Sequence, residues 1–149
     1  MDNKLTDISN TLIKGRLTEI KVLNYLLELG YIVSTPEIPC QYDFLVDVDG
    51  KIIKIQVKTC REVEGAIEFN TSSITHNANG YTKRTYAANM VDYFCTYYNN
   101  ECYLVPFNEC GSKAKKLRIM PTKNGQTKNI SFAKDYIAKA ILSKINKSE

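Results

Sequence analysis

Four side chains of this 149-residue chain have the types and spacing to act together on a charged ester: Glu19, Asp43, Gln56 and Lys58. Asp43 begins one alternating segment, and Gln56 and Lys58 stand two apart at the end of the next. In strands, period two puts Gln56 and Lys58 on one face, ~7 Å apart at a rise of ~3.3 Å per residue. Across an antiparallel pair that face is shared with Asp43 and Asp47, so an acid, an amide oxygen and an ammonium converge. Phosphodiester hydrolysis uses such a set. A hard divalent cation takes one or two carboxylates, waters and the substrate phosphate. It neutralises the phosphate and lowers the pKa of a bound water. A lysine beside it orients that water and stabilises the transition state. The plainer alternatives are a strand-edge acid at Asp43, a solvated strand face at Lys54, Gln56 and Lys58, and an exposed helical charge at Glu19 near Lys14 or Lys21. Asp47 and Asp49 fit a turn, Asp-Gly being a turn pair.

The elements that must hold these groups can be read from periodicity. Leu12, Ile13, Leu17, Ile20, Leu23, Leu26 and Leu27 recur at three- and four-residue steps, an apolar stripe that predicts a helix. Gly30 stands where a helix-ending glycine belongs. Tyr31 to Ser34 reads as a short strand, ended by a segment with two prolines. Tyr42 to Val48 and Lys51 to Cys60 alternate around Asp49-Gly50, the signature of an antiparallel hairpin. Gly65 to Phe69 is a third strand. Val91 to Tyr98 and Cys102 to Phe107 form a second hairpin, and Lys116 to Met120 is an edge strand. Phe132, Tyr136, Ile137, Ala140, Ile141 and Ile145 line a last helix, with Ser131 as its N-cap. The order predicts an α+β fold: an N-terminal helix, a mixed, largely antiparallel sheet and a C-terminal helix, in a single domain over residues 1–149.

Composition narrows the partners. Apolar residues at 44% and charged residues at 24% exclude collagen, coiled coil and wholesale disorder. No apolar run approaches the ~20 residues of a membrane span, and Met1 to Asn10 lacks a signal-peptide core; the expected compartment is the cytoplasm. Five cysteines without a C-x-x-C spacing argue for reduced thiols over a disulfide framework or structural zinc. With His76 the only histidine, a Cys–His nucleophile is disfavoured. The net charge of +4 hides a split: residues 1–110 hold 10 Lys/Arg and 14 Asp/Glu, residues 111–149 hold 10 and 2. Such asymmetry points to a polyanion. The segment from Asn70 to Asn89, rich in Asn, Ser, Thr and Tyr, is long for a loop and fits a base- and phosphate-contacting arm, one plausible shape being a β-ribbon for the major groove.

A helix carrying Glu19 in Lys14-Gly15-Arg16-Leu17-Thr18-Glu19 is followed by Tyr42-Asp43 opening a strand and Gln56-Val57-Lys58-Thr59 closing the next. This order resembles the PD-(D/E)xK nuclease superfamily and, more narrowly, its group I intron homing endonucleases, over Lys14 to Phe107. The resemblance implies Asp43 as principal metal ligand, Glu19 as supporting acid, Lys58 as the catalytic lysine and Mg²⁺ or Mn²⁺ as cofactor. Gln56 stands where the superfamily usually has Glu or Asp. Its amide oxygen can coordinate a metal but brings no charge, so the implied metal set is Asp43, Gln56 and Glu19. The implied activity is site-specific, metal-dependent cleavage of double-stranded DNA. Contacts to that DNA are expected from Lys14, Arg16, Tyr81, Lys83, Arg84, Lys113, Lys115 and Lys116. One domain holds one site, so cutting both strands implies a homodimer or homotetramer. Other readings are a junction-resolvase-like or restriction-type nuclease, and a non-catalytic DNA-binding module of the same fold.

Overall fold

In the computed structural model the described residues are 4–77, 80–85 and 89–145, and the chain opens with helix α1 (Lys4–Glu28). Gly30 ends it at φ +89°. There the Gly30 N–H donates to the Leu27 carbonyl at 2.9 Å and the Tyr31 N–H to that of Leu26 at 3.2 Å, the bond pair that closes a helix on a left-handed residue.

Ten strands follow, with α2 at the end. They are β1 (Ile32–Ser34), β2 (Phe44–Val48), β3 (Lys51–Val57), β4 (Arg61–Val63), β5 (Ala66–Asn70), β6 (Ser72–Asn77), β7 (Gly80–Thr85), β8 (Tyr93–Tyr98), β9 (Glu101–Pro106), β10 (Ala114–Arg118) and α2 (Ala138–Ile145). A five-stranded sheet runs β1-β2-β3-β8-β9, and a three-stranded sheet runs β10-β5-β4. Strands β6 and β7 make a two-stranded ribbon. Among the strand pairings of the described residues only β3–β8 is parallel; the expected chain order of helix, mixed, largely antiparallel sheet and helix is what forms. The β2–β3 hairpin turns on Asp49 and Gly50, at φ +51° and +93°, the left-handed pair that a tight two-residue hairpin needs.

The five-stranded sheet is covered on both faces. Phe44, Val46, Val48, Ile53, Ile55 and Val57 pack with Val22 and Leu26 of α1 and Ala138 and Leu142 of α2. On the other face, Phe94, Tyr103 and Val105 pack with Ile67, Phe69 and Leu117 of the smaller sheet. The period-two pattern of β2 and β3 thus sends Phe44, Val46, Ile53 and Ile55 toward the helices and turns Leu45, Lys54 and Gln56 the other way.

The structure sharpens or corrects the sequence reading at three places. Helix α1 buries Thr18, Val22 and Leu26, whereas Leu12, Ile13, Leu17, Ile20 and Leu27 are exposed by 47–69%. It is apolar on two opposite faces, and periodicity alone could not say which faces the sheet. The last helix does not start at Ser131. A 3₁₀ turn at Ala133–Tyr136 comes first, and the bridges Phe132–Arg118 and Ile137–Tyr103 occupy the backbone on either side of it. Ser131 instead accepts the Lys115 ammonium at 2.9 Å. Strand β3 ends at Val57, before Cys60, and Glu64-Gly65 turns β4 into β5 with both residues at positive φ.

Candidate active site

Asp43 lies one residue before β2, opposite Gln56 in the register that pairs Phe44 with Ile55. Its backbone N–H donates to the Ile55 carbonyl at 2.8 Å. Its carboxylate accepts the Val57 N–H at 2.8 Å, taking the place of a strand partner where β2 begins. Burial pushes the Asp43 carboxyl up to about 6; the Glu19 carboxylate adds to the rise, against the Val57 N–H and the Lys58 and Arg16 cations. Glu19, Lys58 and Arg16 therefore stand close enough to Asp43 to act on its charge, although they come from α1 and from the end of β3.

A cleft of about 240 Å³ holds Arg16, Glu19, Glu37, Cys40, Tyr42 and Asp43 along its wall. Glu19 is half-buried and paired to Arg16 at 2.8 Å. Beside the cleft, the Thr18 and Thr59 hydroxyls share a 2.8 Å hydrogen bond, which ties α1 to the residue following Lys58. The Lys58 ammonium donates to the Ser72 carbonyl at 3.1 Å, at the first residue of the ribbon. The Gln56 amide nitrogen makes a weak bond to the Val57 carbonyl at 3.4 Å.

Lys54, on the same strand face as Gln56 and Lys58, is used differently. Its N–H donates to the Asp92 carboxylate and its ammonium to the Asn89 carbonyl, both at 2.8 Å. Asp47 accepts the Gly50 N–H at 2.7 Å and belongs to the hairpin turn. Glu37 is the cleft acid that pattern reading missed. It sits between Pro36 and Pro39, and the available signal was that two prolines must fold an extended segment back on the acid ahead of Asp43.

The residues expected to grip DNA are spread over several elements. Lys14, Arg16, Lys113 and Lys116 are exposed, with Lys116 3.9 Å from Glu68. Lys115 is turned inward to the Glu109 carbonyl and Ser131 hydroxyl, each at 2.9 Å. The side chains of His76, Tyr81, Lys83 and Arg84 lie outside the described residues, but their backbones are on the β6–β7 ribbon, which pairs Ser72 with Thr85 through Asn77 with Gly80. A ribbon therefore occupies much of the segment from Asn70 to Asn89. The five cysteines are unpaired, with Cys95 and Cys102 buried and Cys40 exposed. No helix among the described residues is long and apolar enough to cross a membrane.

The donor set suits a hard cation that keeps part of its water shell. Asp43, Glu19 and Gln56 offer oxygen only, and no cluster of three or more His, Cys, Asp or Glu side chains placed to hold a metal occurs among the described residues.

Comparison with known proteins bears on the family and the fold. A family model described as PD-(D/E)XK endonuclease matches residues 9–139. The solved structure of a bacterial homing endonuclease, I-Ssp6803I, superposes with a TM-score of 0.72 over 93% of this chain and 97% of that one, at 21% identity. No curated protein matches the chain in sequence.

Proposed function

The chain belongs to the PD-(D/E)XK endonuclease family, and from that premise we propose that it is a homing-type DNA endonuclease that makes a double-strand break with Mg²⁺ or Mn²⁺. The observation that carries the reading is the meeting of Asp43 and Glu19 at one cleft, from a strand start and a helix, with Lys58 after the end of β3 close enough to act on the Asp43 charge. Similarity in fold to a homing endonuclease supports the finer assignment.

Asp43 and Glu19, with the Gln56 amide oxygen, would hold the cation, which when bound neutralises the scissile phosphate and acidifies a water. The chain's own groups do the rest. Asp43 supplies a carboxylate fixed in direction by the Val57 N–H. Lys58 carries a proton-bearing nitrogen that orients the attacking water and meets the charge growing on the phosphate oxygens. Arg16 pairs with Glu19 at 2.8 Å and holds it turned along the helix. Gln56 contributes an oxygen without charge, so the site holds fewer negative charges to repel the DNA backbone.

The β6–β7 ribbon has the shape of an arm that reads a groove, and the exposed lysines of the C-terminal third supply backbone contacts that add affinity without sequence information. One site per chain serves two strands through a symmetric pair or a pair of pairs.

The test is incubation of purified protein with a randomised plasmid library and Mg²⁺. Linear products with a common cut site, abolished by EDTA, are the expected result. Tight, salt-sensitive binding with no cut under Mg²⁺ or Mn²⁺ would instead mark a binding module that lacks cleavage. Preference for four-way junctions over linear duplex would move the protein to the resolvases.

A further inference from the structure

Thr18 stands immediately before Glu19 on α1, Thr59 stands immediately after Lys58, and their hydroxyls meet at 2.8 Å. The bond has a direction. Thr18 spends its own proton on the Lys14 carbonyl at 2.9 Å, and a carbonyl can only accept. Thr59 is therefore the donor and Thr18 the acceptor. The bond back to Lys14 already satisfies the buried Thr18 hydroxyl, so burial does not require Thr59. Thr59 is itself exposed, and its side chain is part of neither apolar core.

The place of the bond along the helix says what it does. Among the described side chains of α1, from Asn10 onward, Thr18 is the first that is buried. Val22 and Leu26 follow at steps of four on the same face. Those two are held by apolar packing, which resists separation but has no direction. A hydrogen bond fixes distance and angle together. The strand end is set from its other side: the Lys58 N–H donates to the Cys95 carbonyl at 2.8 Å, which carries the β3–β8 ladder one residue past Val57. Thr59 thus leaves a fixed strand end, and its hydroxyl passes that fixity to the turn of α1 that bears Glu19. Without the bond the nearest buried anchor of the helix is Val22, and Glu19 lies beyond it among the exposed Arg16, Leu17 and Ile20.

We propose that Thr18 and Thr59 form a positioning pair, whose hydrogen bond sets the Glu19 carboxylate in place against Asp43 and the strand end that carries Lys58. Neither hydroxyl touches the reacting atoms; the pair acts through Glu19. The proposal rests on the endonuclease reading for its consequence. Glu19 and Asp43 line one cleft from different elements, and Mg²⁺ demands near-ideal octahedral order at about 2.1 Å from its ligands. A site built across two elements therefore tolerates little drift of one against the other. The bond itself is measured without DNA or metal.

Thr59→Val keeps the shape of the side chain and removes the donor, whereas Thr59→Ser keeps the donor. Hydrogen exchange of the full chain, read by mass spectrometry, should run about five- to tenfold faster over residues 14–21 in T59V than in wild type, the loss expected for one net hydrogen bond. T59S should return to within about twofold of wild type, and residues 22–28 should exchange alike in all three. In single-turnover cleavage, the Mg²⁺ concentration for half the maximal rate should rise about tenfold in T59V, as when a residue that orients a metal ligand is lost. Duplex binding in Ca²⁺ should stay as in wild type. T18V/T59V should be no worse than T59V, because either change removes the same bond. A merely structural bond would quicken exchange and leave the Mg²⁺ requirement where it was; that result overturns the proposal. Wild-type exchange in T59V overturns it too, as do additive losses in the double variant. A wild-type protein that cuts no DNA, with the exchange difference present, defeats the endonuclease reading and leaves the pair standing. A T59V enzyme that matches wild type in exchange and in cleavage does the reverse.

Discussion

Asp43→Asn abolishes cleavage and at the same time makes the folded protein more stable at neutral pH. Asparagine keeps an oxygen for the Val57 N–H but brings no charge to a cation, and a loss of about a thousandfold or more in rate corresponds to roughly 4 kcal/mol of barrier. The stability gain follows from the raised Asp43 pKa. Burial favours the neutral acid, and the carboxyl rises from 3.8 to about 6. Below pH 4 the group is protonated in both folded and unfolded chains and costs nothing. Between pH 4 and 6 the folded chain binds more protons, so stability falls as pH rises. Above pH 6 the cost is complete, roughly 2 to 3 kcal/mol for a shift of about two units, allowing for solvent screening. Thermal melts of the variant and the parent should therefore differ by several degrees at pH 8 and converge near pH 4. The wild-type cleavage rate should show an acid limb with a midpoint near pH 6. Equal melting temperatures at pH 8, or an active Asp43→Asn enzyme, would remove Asp43 from its assigned place.

Lys58→Met should lower the single-turnover rate about 10²- to 10³-fold, the usual loss when one preorganised donor to a transition state is removed. Binding to duplex DNA, measured with Ca²⁺ in place of Mg²⁺, should change little, since at most one phosphate contact is lost from the salt dependence. Lys58→Arg should recover only part of the rate. A planar guanidinium cannot occupy the point position of an ammonium that donates to the Ser72 carbonyl at 3.1 Å. Full cleavage by a folded Lys58→Met protein would exclude the lysine from the chemistry.

Much of the fold was legible because its signals are local. The Asp49-Gly50 turn, the alternation of β2 and β3 and the glycine at the end of α1 each state a backbone conformation within a few residues. The sharing of one face by Asp43 and Gln56 followed from that hairpin, since its register is set by the turn. Non-local facts stayed hidden. Whether Leu17 or Val22 faces the sheet depends on what packs there, and both are apolar at helical spacing. The Ser131 cap failed because Ile137 was drawn into a bridge with Tyr103, 34 positions earlier in the chain. Lys54 and Lys58 look alike in sequence, and only the return of the chain at Asn89 and Asp92 assigns the first to the scaffold. Glu37 was hidden for the same reason: its distance from Asp43 is decided by the path of a proline-bearing segment, not by any period.

The parallel pairing of β3 with β8 sets Val57 beside Cys95. Everything between, including the smaller sheet's β4 and β5 and the ribbon, leaves and returns through adjacent strands. The ribbon is in turn closed at its base by the pairing of Ser72 with Thr85. Its length is thus uncoupled from the frame that holds Asp43, Gln56 and Lys58. Adding paired residues at the Asn77–Gly80 end changes only a loop-closure entropy that grows with the logarithm of length. The arm is a replaceable part: a lineage, or an engineer, can exchange it for one of another length or sequence while the frame around Asp43, Gln56 and Lys58 keeps its shape.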